Sequence, residues 1–455
     1  MSGKDPDSRA VRQIRPSLFS CGQRREYTPV GQWYDIFIIV YLIQFSPVPG
    51  KGEYSMDNIS HFRFSRRSMA TPRSMIREIL KVCEQLDIIS FAGGLPSPDF
   101  LDTEGIREAS DQVLAREGKA ALQYSTTEGY RPLREWIAAR YEKRLHISVD
   151  PDEILITNGS QQTLDLLARI FIDEGDPILI EAPGYLGAIQ AFSQYMPVFH
   201  AIPLEQDGPD ISCLGRVLEE TDPKFLYTIP NSQNPSGITY STERRREISS
   251  LLKEHDMLLL EDDAYGEIRF SGARRPSFRN LLPGNQTILL GSFSKIVAPG
   301  FRLGWLCAPG EILDKAITAK QASDLHTNIF AQHVLARYLE RIDMDSRISS
   351  ISRAYAEKCS LMLECMDRLF PEGIGYTRPD GGMFIWLTLP EGFSAMELWR
   401  RALEKNVAIL PGTPFYTDGG GDSGVRLNFS NADAEGIRIG ISRLAGVMQE
   451  YMDTA

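Results

Sequence analysis

The stretch TILLGSFSKIVAPGFRLGW, Thr287 to Trp305, decides how this chain folds. Thr287 to Leu290 is an apolar run without polar alternation, the pattern of a strand buried on both faces in a parallel sheet. It leads into Ser292, Ser294 and Lys295, with Arg302 seven residues beyond the lysine and a second apolar run, RLGWLCAP, starting at that arginine. A lysine delivered to the end of a buried strand is costly unless it is neutralised, paired or made covalent. Each residue has a bland reading alone, since serines cap, lysines solvate and arginines decorate surfaces. What surrounds the stretch decides between them.

Outward from it, apolar runs recur as ILIT from Ile154, PILIEAP from Pro177, KFLYTIP from Lys224 and MLLLEDDAY from Met257. Helical stretches such as QQTLDLLARIFID and TERRREISSLLKEHD lie between them, so the chain reads as an α/β protein with a mostly parallel mixed sheet flanked by helices. Its polar residues fall at the carboxyl ends of the strands, where open α/β sheets bind ligands. Downstream of about residue 340, two long helical stretches are expected to lead to the strand in TRPDGGMFIWLTLP, entered through Gly381 and Gly382. A further strand, VRLNFS, and a closing helix with Ile437, Ile441, Leu444 and Met448 on one face complete a smaller α+β domain. Upstream, TPRSMIREILKV reads as a helix with Thr71 as N-cap and Pro72 in its first turn. Arg77 lies beside its apolar face, within reach of a cleft.

With 455 residues the chain has room for two domains. The expected division is an N-terminal arm at 56–105, a large domain at 106–340 and a small domain at 341–455. Residues 1–55 mix charges, Pro, Gly and one apolar run, Ile36 to Ile43, that is too short for a membrane span. They read as an appendage, disordered or translated from an upstream start. A formal net charge of −11 excludes a general affinity for nucleic acid or anionic membrane. The six cysteines form no CxxC pair and have no histidine at zinc spacing, which points to reduced, mostly buried thiols and a cytoplasmic protein.

The strand ends carry a consistent chemistry. NGSQQTLDLL places Gly159, Ser160 and Gln161 at a helix start directly after a strand, where free N–H groups and the helix dipole favour an anion; Ser160 acting as a plain cap is the alternative. Ser292, Ser294 and the fork of Arg302 complete an anion cup. EDDAY offers Asp262, a carboxylate able to keep a ring nitrogen protonated, and Tyr265 three residues on; an N-cap pair or a metal site are the other readings, the metal one lacking histidines. Asn234 in PNSQNPSG can donate to a ring oxygen or merely build a turn. Tyr185 can stack on a ring or simply pack. Arg426 in VRLNFS can clamp a substrate carboxylate or decorate a strand. Taken together, these groups supply what pyridoxal phosphate anchored on Lys295 requires.

Asn234, Asp262 with Tyr265, Lys295 with Arg302, and Arg426 form an ordered set that resembles the class I, fold-type I pyridoxal-phosphate aminotransferases. The resemblance covers roughly Ser60 to Met452. SFAGGLPSPDF, LQYSTTEGYRPLREW, EAPGYLGAIQAF, DLHTN and TRPDGGMFIWLTLP are most similar to the branch of 2-aminoadipate and kynurenine/aminoadipate aminotransferases, while FRFSRRSMATPRSM departs from it. The resemblance implies a homodimer with shared active sites, in which Tyr124 reaches the cofactor phosphate of the neighbouring subunit. It further implies that Gly93 and Gly94 line the substrate site through their backbone and that Arg77 recognises an acidic side chain. The expected activity is a ping-pong transfer of an amino group from an L-amino acid, with 2-aminoadipate or glutamate as the best fit and aromatic or branched-chain donors as further candidates, to a 2-oxo acid such as 2-oxoglutarate. Lys295, Asp262 and Tyr185 carry the catalysis on this reading. A β-lyase or other pyridoxal-phosphate chemistry shares the same lysine, aspartate and arginine. A transcription regulator that senses the cofactor is the reading from a different class, and residues 1–55 lack its helix-turn-helix pattern.

Overall fold

The computed structural model describes residues 63–70 and 88–454. The helix foreseen from Thr71, with Arg77, and the segment 1–55 lie outside them. The first described strand, β1 (Ile89–Ser90), is followed by β2 (Ile154–Thr157), β3 (Pro177–Ala182), β4 (Val198–Glu205), β5 (Gly208–Pro209), β6 (Leu226–Thr228), β7 (Leu259–Asp262), β8 (Thr287–Ser292) and β9 (Gly304–Cys307). After a long helix come β10 (Gly375–Tyr376), β11 (Phe384–Thr388), β12 (Val407–Ala408), β13 (Leu410–Pro411) and β14 (Gly424–Asn428).

Strands β2 to β9 form one eight-stranded sheet in the order β2-β9-β8-β7-β6-β3-β4-β5. The five strands β8, β7, β6, β3 and β4 pair in parallel, and β9 runs antiparallel to both β2 and β8. Every residue of β2, β6, β7, β8 and β9 is buried. Continuous apolar runs are what a sheet covered on both faces demands. All six strands foreseen from the sequence are present. The strands β4 and β5 are additional: β4 is only partly buried, as suits its place next to the edge strand β5.

The helices follow local rules. Ser241 caps the helix Thr242–Glu254 by accepting from the Arg244 amide, with Glu243 in its first turn and Lys253 in its last. Its buried face, including Ile248 and Leu252, packs with Leu214, Leu218, Leu226 and Leu259 into one apolar cluster on the sheet. Each such side chain contributes roughly 1.5–3 kcal/mol when fully buried.

A second sheet, β10-β11-β14-β13, is antiparallel throughout and holds Arg426. The closing helix Ala434–Thr454 covers part of this smaller unit with Ile437, Ile441, Leu444 and Met448, all buried. The two long helical stretches expected ahead of β10 are a single helix of 26 residues, Met344–Leu369, started by Asp343, whose side chain accepts from the Asp345 and Ser346 amides. Nothing in its sequence breaks it: it contains neither proline nor glycine. Strand β1 pairs in parallel with β12, so the chain that enters ahead of the large sheet is stitched to the C-terminal unit. Cys213, Cys307, Cys359 and Cys365 are free, and all but Cys213 are buried. Among the described residues no helix is long and apolar enough to cross a membrane.

Candidate active site

The carboxyl ends of β2, β7 and β8 converge, and the crossing of β9 between β2 and β8 brings their loops together. After β2 the chain turns at Gly159, whose φ of +73° is left-handed and suits glycine. Helix Ser160–Phe171 starts there without a side-chain cap, which leaves its first amides free for an anion. Gly159 is the N-cap and Ser160 the first helical residue, so the plain capping alternative for Ser160 does not hold. The side chain of Gln161 is engaged elsewhere, donating to the Gly187 carbonyl at 2.8 Å, so only its backbone amide is offered.

Arg302 faces this helix start. Its φ of +52° is a conformation that costs a non-glycine residue about 1 kcal/mol or more. The guanidinium packs so close to Gly159 that a Cβ there would lie 2.8 Å from Nη2. Its hydrogen bond, at 3.3 Å, goes to the Pro299 carbonyl rather than to a carboxylate. Ser292 Oγ and Ser294 Oγ are linked at 3.0 Å, and the Ser294 amide donates to Ser292 Oγ at 3.2 Å. Gly304 allows the close approach of β9 to this loop, because a Cβ there would sit 2.7 Å from both the Gly159 carbonyl carbon and the Ser160 nitrogen. Gly304→Ala is therefore expected to push the helix start away from Arg302 and to weaken retention of an anionic cofactor about tenfold or more, the scale of losing one charge-assisted hydrogen bond. Fluorescence titration of the cofactor-free protein checks it.

Behind the cup, a network pins the same loop. Lys320, fully buried, donates to Asp324 at 2.9 Å and to Gln162 Oε1 at 2.8 Å. Asn158 donates through its side chain to Asp324 at 2.6 Å, and its amide donates to Gln162 Oε1 at 2.8 Å. Sequence reasoning missed the network, although Asp324 lies in the DLHTN stretch that carried part of the resemblance.

Asp262, at the end of β7, is 2 % exposed. Its Oδ2 accepts from the Tyr227 hydroxyl at 2.9 Å, while Oδ1 has no hydrogen-bond partner among the described residues. Burial pushes the carboxyl up to about 7, against the opposing pull of the Tyr227 hydrogen bond. Tyr227 was not foreseen, and its signal was a phenolic hydroxyl in the strand next to the one bearing Asp262. Tyr265 is buried, and its acidity is suppressed by burial and by Tyr185. Tyr185 is half-buried and lies against Gly187, its phenol raised to about 12 by loss of water and by Asp262.

Lys295 sits three residues past β8. Its Nζ donates to the Gly94 carbonyl at 2.7 Å and stands 5.9 Å from the centre of the Tyr265 ring. Loss of water, followed by the positive charges of Arg426 and Arg302, lowers the ammonium to about 8. Arg426, on β14, is 2 % exposed. Its Nη1 donates to Asn234 Oδ1 at 2.9 Å and its Nη2 to the Ala92 carbonyl at 2.6 Å, with the guanidinium 4.4 Å from the centre of the Phe384 ring. Among the described residues no carboxylate pairs with it and its Nε is unsatisfied, and burial lowers it to about 10. A desolvated guanidinium held by neutral oxygens is a receptor for a carboxylate. The exposed-strand alternative for Arg426 is thereby set aside. Gly93 and Gly94 lie beside Ala92, and a Cβ on Gly94 would lie 3.2 Å from the Phe384 ring. Tyr124 stands apart, 79 % exposed, with its ring edge-on to His326 at 5.8 Å. Among the described residues no cluster of His, Cys, Asp and Glu could hold a metal.

The sequence model of aminotransferase classes I and II matches residues 88–444. The chain belongs to this aminotransferase family. The 2-aminoadipate transaminase of Thermus thermophilus is 45 % identical over 381 residues, covering 83 % of this chain and 94 % of that protein. The aromatic-amino-acid aminotransferase 1 of Thermococcus litoralis is 41 % identical over 398 residues, covering 86 % and 94 %. Among solved structures, the α-aminoadipate aminotransferase of Thermus thermophilus, complexed with N-(5'-phosphopyridoxyl)-L-leucine, superposes with a TM-score of 0.81 at 43 % identity, over 86 % of this chain and 98 % of that one. This aminotransferase is a fold-type I enzyme that uses pyridoxal phosphate and acts on amino acids and 2-oxo acids. Its own geometry fits the cofactor: the orphaned Oδ1 of Asp262 suits a ring N–H, and the cradle of Gly159, Ser160 and Arg302 suits a phosphate.

Proposed function

We propose that this aminotransferase takes a donor with an acidic side chain, 2-aminoadipate or glutamate, and passes its amino group to 2-oxoglutarate in a ping-pong exchange. The observation that carries the amino-acid reading is Arg426, a buried guanidinium with no carboxylate partner among the described residues, held by Asn234 Oδ1 and the Ala92 carbonyl. The likeness to the 2-aminoadipate transaminase of Thermus thermophilus supports the acidic choice. On this reading Arg77 meets the distal carboxylate, Arg426 the α-carboxylate, and the backbone of Gly93 and Gly94 the rest of the substrate.

Pyridoxal phosphate, when bound, supplies a carbonyl that takes the amino group and a ring that draws electrons from the Cα–H bond. Gly159, Ser160, Gln161, Ser292, Ser294 and Arg302 would hold its phosphate, Asp262 its ring nitrogen, Asn234 and Tyr265 its ring oxygen, and Tyr185 its face. Lys295 anchors it and then serves as general acid and base: an amine lowered to about 8 is in part neutral near neutral pH and can hold or release a proton at Nζ. Tyr124 and the exposed Leu122 support a homodimer in which a second copy covers this edge of the site. Residues 56–105 are the arm, 106–340 the cofactor-binding domain and 341–455 the small domain, working in the cytoplasm. Steady-state kcat/KM for 2-aminoadipate, glutamate, leucine and an aromatic amino acid with 2-oxoglutarate tests the substrate class. Acidic donors should lead by at least about tenfold, as one buried charge pair provides; an aromatic or branched donor in front would overturn the assignment.

Asp262 carries a pH signature of its own. Its folded value of about 7 exceeds the ordinary 3.8, so folding takes up a proton between these limits and the cofactor-free protein loses stability as pH rises through them. In the cofactor-free form Asp262→Asn is expected to melt a few degrees higher than the parent at pH 8, with the gain gone by pH 4. The same substitution should cut turnover about 10²-fold or more, because the neutral amide no longer stabilises charge at the ring nitrogen. Calorimetry across pH, alongside the activity assay, checks both.

A further inference from the structure

A separate pocket of about 580 Å³ lies between the helix Arg131–Leu145, the segment Glu267–Arg274 and the helix Met344–Leu369. Six cationic side chains line it, Arg140, Lys143, Arg144, Arg269, Arg274 and Arg353. Against them stand two lining carboxylates, Glu267 and Asp345, an excess of four positive charges in a chain of formal net charge −11. The carboxylates are already shared. Arg140 bonds Glu267 and meets Asp345 at 2.5 Å, and Lys143 reaches the other oxygen of Asp345 at 2.5 Å. Arg144 is held by Asp263 at 2.5 Å, behind the pocket wall.

The remaining three arginines form no ion pair among the described residues. Arg269 donates to the Ser271 and Ala273 carbonyls at 2.9 and 2.6 Å, and Arg274 to the Arg144 carbonyl. Arg353 is exposed and makes no ion pair among the described residues. Burial comes first in lowering Arg269 and Arg274, and neighbouring arginines add to it against the opposing pull of Asp380 on Arg269 and of Glu267 and Asp345 on Arg274, so like charges are crowded together here. Such crowding is unfavourable unless a counter-charge joins it, and planar guanidinium forks match the oxygens of phosphate and carboxylate.

We propose that this pocket is an anion site for a small molecule bearing two or more phosphate or carboxylate groups. The ligand joins Arg269 and Arg274, next to the large sheet, to Arg353 on the helix that leads into the smaller sheet. It is distinct from the cofactor and substrate groups, none of which lines the pocket.

The test is calorimetric titration of the cofactor-loaded enzyme in physiological salt with inorganic pyrophosphate and, separately, with citrate. The expected result is saturable binding of at least one of the two at one site per chain, weakened about tenfold or more in the double variant Arg274→Ala/Arg353→Ala. Both substituted residues are exposed, so the fold should survive, and kcat in the absence of either anion should be unchanged. Pyrophosphate winning identifies a phosphorylated ligand and citrate winning a polycarboxylate. No binding of either at millimolar concentration, or binding that the double variant leaves intact, overturns the proposal.

Discussion

Lys295→Ala is expected to fold normally and to lose turnover by roughly 10³-fold or more, the range that a positioned general acid and base contributes. The physical ground is the state of its amine. Nζ is lowered to about 8 by loss of water and by Arg426 and Arg302, so the side chain is poised to give and take a proton near neutral pH. Its amine donates to the Gly94 carbonyl and lies over the Tyr265 ring, and trimming it removes a charge from a site crowded with arginines. The melting temperature should therefore stay within a few degrees of the parent. A small added amine should restore part of the rate by supplying the missing base. Near-normal turnover in the variant would sink the assignment of this lysine.

Arg426→Ala is the second large effect. Truncating one partner of a buried, hydrogen-bonded charge pair costs about 2–5 kcal/mol, which corresponds to roughly 30- to 4,000-fold in kcat/KM for the amino acid. Asn234 and the Ala92 carbonyl lose their donor at the same time, so the alanine variant also loses stability. Arg426→Lys separates the two effects. It keeps the charge but not the fork, and should recover stability before it recovers affinity. Saturation kinetics should show the loss mostly in KM for both the amino acid and the oxo acid, since both present a carboxylate to the same guanidinium. A rise confined to one of them would contradict a shared clamp.

The large sheet was legible in the sequence because its central strands are buried on both faces and read as unbroken apolar runs, as Thr287 to Leu290 does. The strand Val198–Glu205 was not, because its mixed burial gives a diluted pattern and its pairing with β3 is a long-range fact. The helix Met344–Leu369 was taken for two, because periodicity marks a helical face but says little about where a turn interrupts it. Lys295, Asp262, Arg302 and Arg426 could be named because each sits at a strand end or within a strand whose register is plain. Their partners could not. Tyr227, the contacts of Asp324 with Asn158 and Gln162, and the Ala92 carbonyl reach the site through tertiary packing, and single-residue spacing does not encode which neighbour a side chain will meet. Arg77 falls outside the described residues, so the feature that would set the acidic side-chain preference rests on sequence resemblance.

The central claim, that these groups perform amino transfer, is tested most directly by a single-turnover absorption measurement. The purified enzyme loaded with pyridoxal phosphate is mixed with one amino acid at a time and no oxo acid. The account predicts that the spectrum of the bound aldehyde form converts to that of pyridoxamine phosphate with one oxo acid released per site, fastest with 2-aminoadipate or glutamate, and reverts when 2-oxoglutarate is added. A cofactor that binds but never converts, or a substrate that loses a leaving group to release pyruvate and ammonia, would leave the cofactor site standing and contradict the reaction.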